Sequence, residues 1–366
     1  MTAFAPKEQE DVTMLHAPRL GRRKCVAMLA ATPLIGACAT EPGSSRGQRP
    51  SGSGAQVALL LPLSGKRAGL GQQMAKAVWL VEDFGGTPGK TRVLDGGDTP
   101  QSAADAARSA VAEGANIIVG PLFREQTPAV LQAAGSVPVL SLSNDATLAA
   151  SGAWVFGVTP AQSVNTVLGF AEDTGARRLS VLETGGTLGQ QASNAVQSLA
   201  GSAKITPLPP IPAATQPAQM DEALRQSGGG TMPDIIYVPG TGAGALRQAE
   251  AAVQTGVTTI GSLQWSGLGQ SDLDRLDKAC FTGPDPVRFD RLSSFFRAQL
   301  DEELGVIAAL AVDAVGIAQS MDGAQSLSRR TVFEGLLGDT RFDRNKTCER
   351  DLAILRIDGG NVLPVT

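Results

Sequence analysis

Histidine is almost missing from this chain of 366 residues; there is one, His16. It lies in a leading segment expected to be removed. What remains then has no Ser–His–Asp triad, no Cys–His pair and no histidine to ligate a metal. Aromatic residues make up only 4% of the chain, and Tyr237 is the one tyrosine. There are only four cysteines, Cys25, Cys38, Cys280 and Cys348. There is no long low-complexity block and no short-period repeat. Nor is there a cationic surplus. Residues 1–37 hold five basic and three acidic residues, and beyond them 26 basic and 32 acidic residues remain, a balance of −6. That balance lacks the basic footprint of a nucleic-acid binder and is no polybasic membrane patch. What the chain does have is a 42% hydrophobic content, enough for a sizeable core, and 43 glycines, which suit many tight turns between strands and helices.

The N-terminus reads as an address. Arg19 to Lys24 is cationic, and Cys25 to Ile35 is mostly apolar but too short to cross a bilayer. Leu34-Ile35-Gly36-Ala37-Cys38 resembles the bacterial lipobox, which implies removal of residues 1–37 and acylation of Cys38. An ordinary signal peptide with an incidental Cys38 is the alternative; the order of basic, apolar and small–small–Cys segments favours the lipoprotein. Ala39, rather than Asp, follows the cysteine, and by resemblance to the lipoprotein sorting pattern this implies the outer membrane, facing the periplasm. Residues 38–54 are rich in Ser, Gly and Pro and read as a flexible tether of at most roughly 55 Å. Cys280 and Cys348 are left over. In an oxidising compartment they are a disulfide candidate, with two buried free thiols as the alternative.

The rest alternates. Val57–Leu61, Arg92–Leu94, Ile117–Val119, Val139–Leu140 and Trp154–Phe156 are short apolar runs between helical segments. Asn116–Asn144 is a complete strand–helix–strand unit, which demands a parallel sheet and a right-handed crossover. From Ser163 the pattern restarts, with strands at Leu179–Leu182, Ile235–Val238 and Thr258–Ser262. The fold class is therefore α/β, with two doubly wound parallel-sheet lobes and a central cleft. Ligands of such sheets bind at the strands' carboxyl ends. The candidate cleft residues are Ser64 and Gly65, Gly120-Pro121-Leu122, Ser143-Asn144, Glu183-Thr184 and Gly240. Residues 287–321 hold two late helices, and Asp351–Ile357 is the final strand.

Two motifs are decoys. Gly85-Gly86-Thr87-Pro88-Gly89-Lys90-Thr91 looks like a phosphate loop, but Phe84 stands where its first glycine belongs, and the segment leaves a helix instead of starting one. Gly240-Thr241-Gly242-Ala243-Gly244-Ala245 fits a dinucleotide turn, yet no acidic residue follows within Ile260–Ser266 to hold a ribose. No cofactor and no metal is implied. Asp145 and Glu183 stand at strand ends, where carboxylates more often cap helices than catalyse.

Several of these stretches together resemble one family. Val57 to Gly65 with Gly71, Ile118-Val119-Gly120-Pro121-Leu122, Pro138 to Ser143, Gly283-Pro284-Asp285-Pro286, Ala309 to Val315, and Phe333 to Asn345 are similar to type I periplasmic binding proteins of the leucine-binding kind. The resemblance covers residues 55–366. It implies three crossings between lobes, with residues 55–159 and 285–343 in the first and 160–284 and 344–366 in the second. It also implies that Cys280 and Cys348 share the second lobe's hinge side, in favour of the disulfide. Two functions occur within the family. Amino-acid receptors hand a small-molecule ligand to an ABC transporter permease and commonly carry an aromatic where this chain has Leu188, before Gly189. The lipoproteins that activate penicillin-binding proteins, the peptidoglycan synthases, also carry this lobe pair. The Gly120-Pro121-Leu122 and Ser143-Asn144 loops and the lipobox look more like that branch. The expectation is a non-enzymatic activator held at the membrane by its lipid, with the transporter receptor as the alternative.

Overall fold

The computed structural model describes residues 56–213, 215–321, 327 and 331–365. The signal segment, the tether and Cys38 lie outside the described residues. The chain begins with β1 (Val57–Leu61), α1 (Ala68–Phe84), β2 (Thr91–Asp95), α2 (Pro100–Ala112), β3 (Ile117–Val119), α3 (Thr127–Ala134), β4 (Val139–Ser141) and β5 (Trp154–Val155). It continues with α4 (Pro160–Thr174), β6 (Arg178–Val181), α5 (Gly186–Leu199), β7 (Thr206–Pro207), α6 (Met220–Ser227), β8 (Ile235–Val238), α7 (Ala243–Gln254), β9 (Thr258–Gly261), α8 (Gln270–Arg275) and β10 (Cys280–Gly283). Then come α9 (Pro286–Leu300), α10 (Val306–Gln319), β11 (Thr340–Phe342), β12 (Cys348–Arg350), β13 (Ala353–Asp358) and β14 (Asn361–Pro364).

Two α/β sheets result. The first is parallel, in the order β2-β1-β3-β4-β5. Apart from the edge strand β2, its strands are buried on both faces because both faces are covered. The alternation of side chains along a strand sorts them. Val57, Leu59 and Leu61 join Ile117 and Val119 in one core, under α1 and α10. Ala58, Leu60 and Ile118 face the alanines of α2 on the other side. Those alanines, Ala103, Ala106, Ala107 and Ala110, let α2 approach closely. Thr99 starts α2 with a capping box to Ser102 and Pro100 at the first turn.

The second sheet runs β14-β13-β10-β9-β8-β6-β7. Ile235 and Tyr237 face α4 and α5, while Ile236 and Val238 face the core under α7. Its parallel part ends at β10. There β13 pairs antiparallel, Cys280 opposite Arg356, and a hairpin adds β14. The final-strand reading missed β14, whose four residues are all exposed and leave no buried-strand signature.

The chain passes between the sheets after β5, after β10 and after β12. Helices α9 and α10 return to the first core; Asp285 caps α9 by accepting from the Val287 and Arg288 amides at 3.0 and 2.9 Å. The β11–β12 hairpin stays there too. Val155 bridges to Thr347, and Phe342 packs edge-on against Trp154.

That placement overturns the expected disulfide. Cys280 and Cys348 are both free and buried. Cys280 belongs to the second lobe's core beside Val164 and Val167, whereas Cys348 belongs to the first lobe's core, not to the second lobe's hinge side. Burial pushes the Cys348 thiol up to about 11, so it is an unreactive apolar packing group.

Candidate functional site

Each sheet reverses its strand order once, between β1 and β3 in the first and between β6 and β8 in the second. Such switch points are where α/β sheets open a crevice at the strands' carboxyl ends. The two crevices meet in a cavity of about 500 Å³. The first lobe contributes Leu70, Leu122, Leu142 and Asn144, and the start of α10 adds Gly305, Val306 and Ile307. The second lobe contributes Leu188, Tyr237, Pro239, Thr241 and the segment Ser262–Gly267, and the first crossing adds Val158–Pro160. No Asp, Glu, Lys or Arg is among the lining residues.

Of the candidate cleft residues, Leu122 and Asn144 line this cavity; the others do not. Ser64 and Gly65 are exposed. Their loop is stitched to the one after β2, since Asp95 Oδ1 accepts from the Leu63 and Ser64 amides at 3.0 and 3.2 Å. Burial raises the Asp95 pKa, but hydrogen bonds from the Ser64 side chain and from three backbone amides outweigh it and hold the group below the usual carboxylate range. Gly120 and Pro121 are buried packing residues. Gly120 has φ +102°, and a Cβ there would sit 2.4 Å from the Leu60 carbonyl oxygen. Ser143 is buried and accepts from the Asp145 amide at 3.3 Å. Glu183 is exposed. Thr184 packs against Gly189 and Gly240, and the Gly240 carbonyl accepts from Trp265 Nε1 at 3.1 Å. Sequence reasoning missed Ser163, Ser262, Ser266 and the start of α10. It also left Tyr237 out of the candidates, although its place near the carboxyl end of β8 was the available signal.

Two polar clusters lie outside the cavity lining. Asp145 is buried and accepts from the Thr147 amide and hydroxyl at 3.0 and 2.7 Å, while Arg124 Nη1 stands 3.2 Å from its other oxygen. Gln191, on α5 of the second lobe, reaches across to donate to Asp145 Oδ1 at 3.1 Å. Burial raises the Asp145 pKa, and the Thr147 bonds, the Arg124 charge and Gln191 together bring it below the ordinary range. It is thus a carboxylate that ties the lobes through Oδ1, while its buried Oδ2 faces Arg124 without a hydrogen bond. The other cluster surrounds Arg350 at the third crossing. Arg350 stacks 4.6 Å over Phe156, and its Nη1 and Nη2 donate to Gln162 Oε1 and the Phe156 carbonyl at 3.3 Å each. Gln162 donates in turn to the Cys348 carbonyl. Asp313, on α10, accepts from the Leu336 and Leu337 amides at 2.8 and 3.1 Å. Desolvation pushes it up to about 6 despite those bonds and the Arg350 charge.

Among the described residues no group of three or more His, Cys, Asp or Glu can hold a metal ion, and no helix is long and apolar enough to cross a membrane.

A family model for periplasmic binding proteins matches residues 54–284. The chain belongs to the periplasmic binding protein family. No curated protein sequence matches it. Solved structures share the fold. A Rhodospirillum rubrum protein described as a branched-chain amino acid ABC transporter is 18% identical with TM-score 0.72, over 85% of this chain and 100% of that one. The C-domain of Haemophilus influenzae LpoA, a regulator of PBP1A, is 19% identical with TM-score 0.65, again over 85% and 100%. Full-length LpoA from the same organism is 18% identical with TM-score 0.67, and the match spans 59% of it. Solved proteins of this fold thus include both one described as a transport protein and a regulator of PBP1A.

Proposed function

We propose that this periplasmic binding protein is a non-enzymatic lipoprotein, anchored through Cys38 in the outer membrane and facing the periplasm, that regulates peptidoglycan synthesis by contact with a penicillin-binding protein. The observation that carries the reading is the uncharged lining of the interlobe cavity. A free amino acid brings an ammonium and a carboxylate. Sealing either one in a site without a counter-charge costs several kcal/mol. Among the lining residues, hydroxyls and the Asn144 and Gln264 amides are the polar side chains, and Leu188 stands where an aromatic would cover a ligand. The lobe pair of LpoA, which regulates PBP1A, supports the same direction.

The alternative is the receptor of an ABC transporter for amino acids, which the fold and the ligand-sized cavity favour. A thermal-shift titration with leucine, isoleucine, valine and glutamate distinguishes the two. The regulator reading expects no shift at millimolar amino acid. A ligand present at a hundred times its dissociation constant would stabilise by about 2.7 kcal/mol, and a saturable rise of that size with any of the four would establish the receptor.

A further inference from the structure

Two hydroxyls on the second lobe's side of the cavity make no hydrogen bond of good geometry. Tyr237 is 1% exposed, and its phenol oxygen makes no hydrogen bond of good geometry. The Ser163 hydroxyl, which accepts from Thr282 Oγ1 at 3.1 Å, stands beside it as a near partner. The Ser266 hydroxyl oxygen is likewise buried and unpartnered. Both residues line the same 500 Å³ space. Buried hydroxyls without partners are uncommon in folded proteins, because each forfeits the bonds it made to water. Opposite them the wall is hydrocarbon: Leu122 and Leu142 from the first lobe, and Val306 and Leu310 from α10. The space is many times the roughly 30 Å³ share of one water molecule and falls in the size class of about 300–1,000 Å³ that takes small molecules.

We infer that the cavity is a binding site for an uncharged, mostly apolar small molecule carrying one hydrogen-bonding oxygen, such as an alcohol. Its oxygen meets the hydroxyls of Tyr237 and Ser266, and its hydrocarbon body lies against the leucines across the cleft. Asp145, next to the lining residue Asn144, is paired with Arg124, accepts from Thr147 and Gln191 through Oδ1, and is not itself among the lining residues. This goes beyond the regulatory reading and does not depend on it, since ligand occupancy and synthase contact are separate measurements.

The test titrates the purified full-length chain by calorimetry with 1-octanol and with its charged counterpart octanoate, and with L-leucine. Octanol should bind saturably, at least tenfold more tightly than either charged probe. Tyr237→Phe should weaken octanol roughly three- to tenfold, the value of one net hydrogen bond. Without ligand it should melt at the same temperature or higher, because it removes an unpaired polar group. Leu142→Trp, which fills the cavity from the first lobe, should abolish binding. Equal or tighter binding of octanoate or leucine overturns the inference. So does an affinity for octanol unchanged by Tyr237→Phe, a lower melting temperature of ligand-free Tyr237→Phe, or no saturable octanol binding at all.

Discussion

Replacing Arg350 with methionine should destabilise the protein by about 2–4 kcal/mol at pH 8, from lost hydrogen bonds and stacking and from a buried carboxylate that loses a nearby cation. The guanidinium is 5% exposed, and its direct hydrogen bonds to Gln162 and Phe156 are long, 3.3 Å each. It also acts electrostatically, because with the Leu336 amide it lowers the pKa of the buried Asp313, which desolvation nevertheless holds at about 6. The sign of the pH dependence follows. A carboxyl whose folded pKa lies above its unfolded value near 3.8 contributes stability that is present at low pH and lost as pH rises through about 6. Without Arg350 the folded pKa climbs further, so ionised Asp313 becomes more costly above pH 6, while protonated Asp313 is little affected. The Arg350→Met defect should therefore be clearly smaller at pH 5, where roughly 1–2 kcal/mol of lost hydrogen bonds and stacking remains. Urea denaturation of both proteins at the two pH values measures this. Because Arg350 joins Phe156 to Gln162 at the third crossing, the same change should loosen the relation of the lobes.

Gly120→Ala is the second large effect, expected at about 3–5 kcal/mol. Two costs combine there. A non-glycine residue at φ +102° is strained by about 1–3 kcal/mol. The added methyl would also lie 2.4 Å from the carbonyl oxygen of Leu60, in a central strand buried on both faces, so neither side can yield. Gly152 separates the terms. It has nearly the same φ, +104°, but nothing within 4 Å of its missing Cβ. Gly152→Ala should show the backbone term alone, about 1–2 kcal/mol. Equal losses at the two positions in chemical denaturation would mean that the contact with Leu60 contributes nothing.

These residues also show what a reader of the sequence can and cannot see. The apolar runs of β1, β3 and β8 announce a sheet covered on both faces, and the restart after Phe156 announces a second lobe. Alternation along Val57–Leu61 decides which side chain enters which core. The cavity wall was harder to read. Loops at strand ends were the natural candidates, but the fold spends Gly120, Pro121 and Ser143 on its own packing and hydrogen bonds, and only Leu122 and Asn144 face the space. Tyr237 reaches it because a phenol is long enough to extend from inside a strand. Val306 and Ile307 reach it only because α10 returns from the far end of the chain. The disulfide was misread for a related reason. Spacing along the sequence did not reveal that the β11–β12 hairpin remains with the first lobe and buries Cys348 in a different core from Cys280.

The central claim is contact with a peptidoglycan synthase rather than capture of an amino acid. The most direct measurement is glycan-strand and cross-link formation by the organism's own purified bifunctional penicillin-binding proteins, with and without an equimolar amount of this chain. The account predicts that the chain binds at least one of them and changes its rate, and that adding leucine or isoleucine makes no difference. Saturable binding of an amino acid, with neither a complex nor a rate change for any of these synthases, would contradict it.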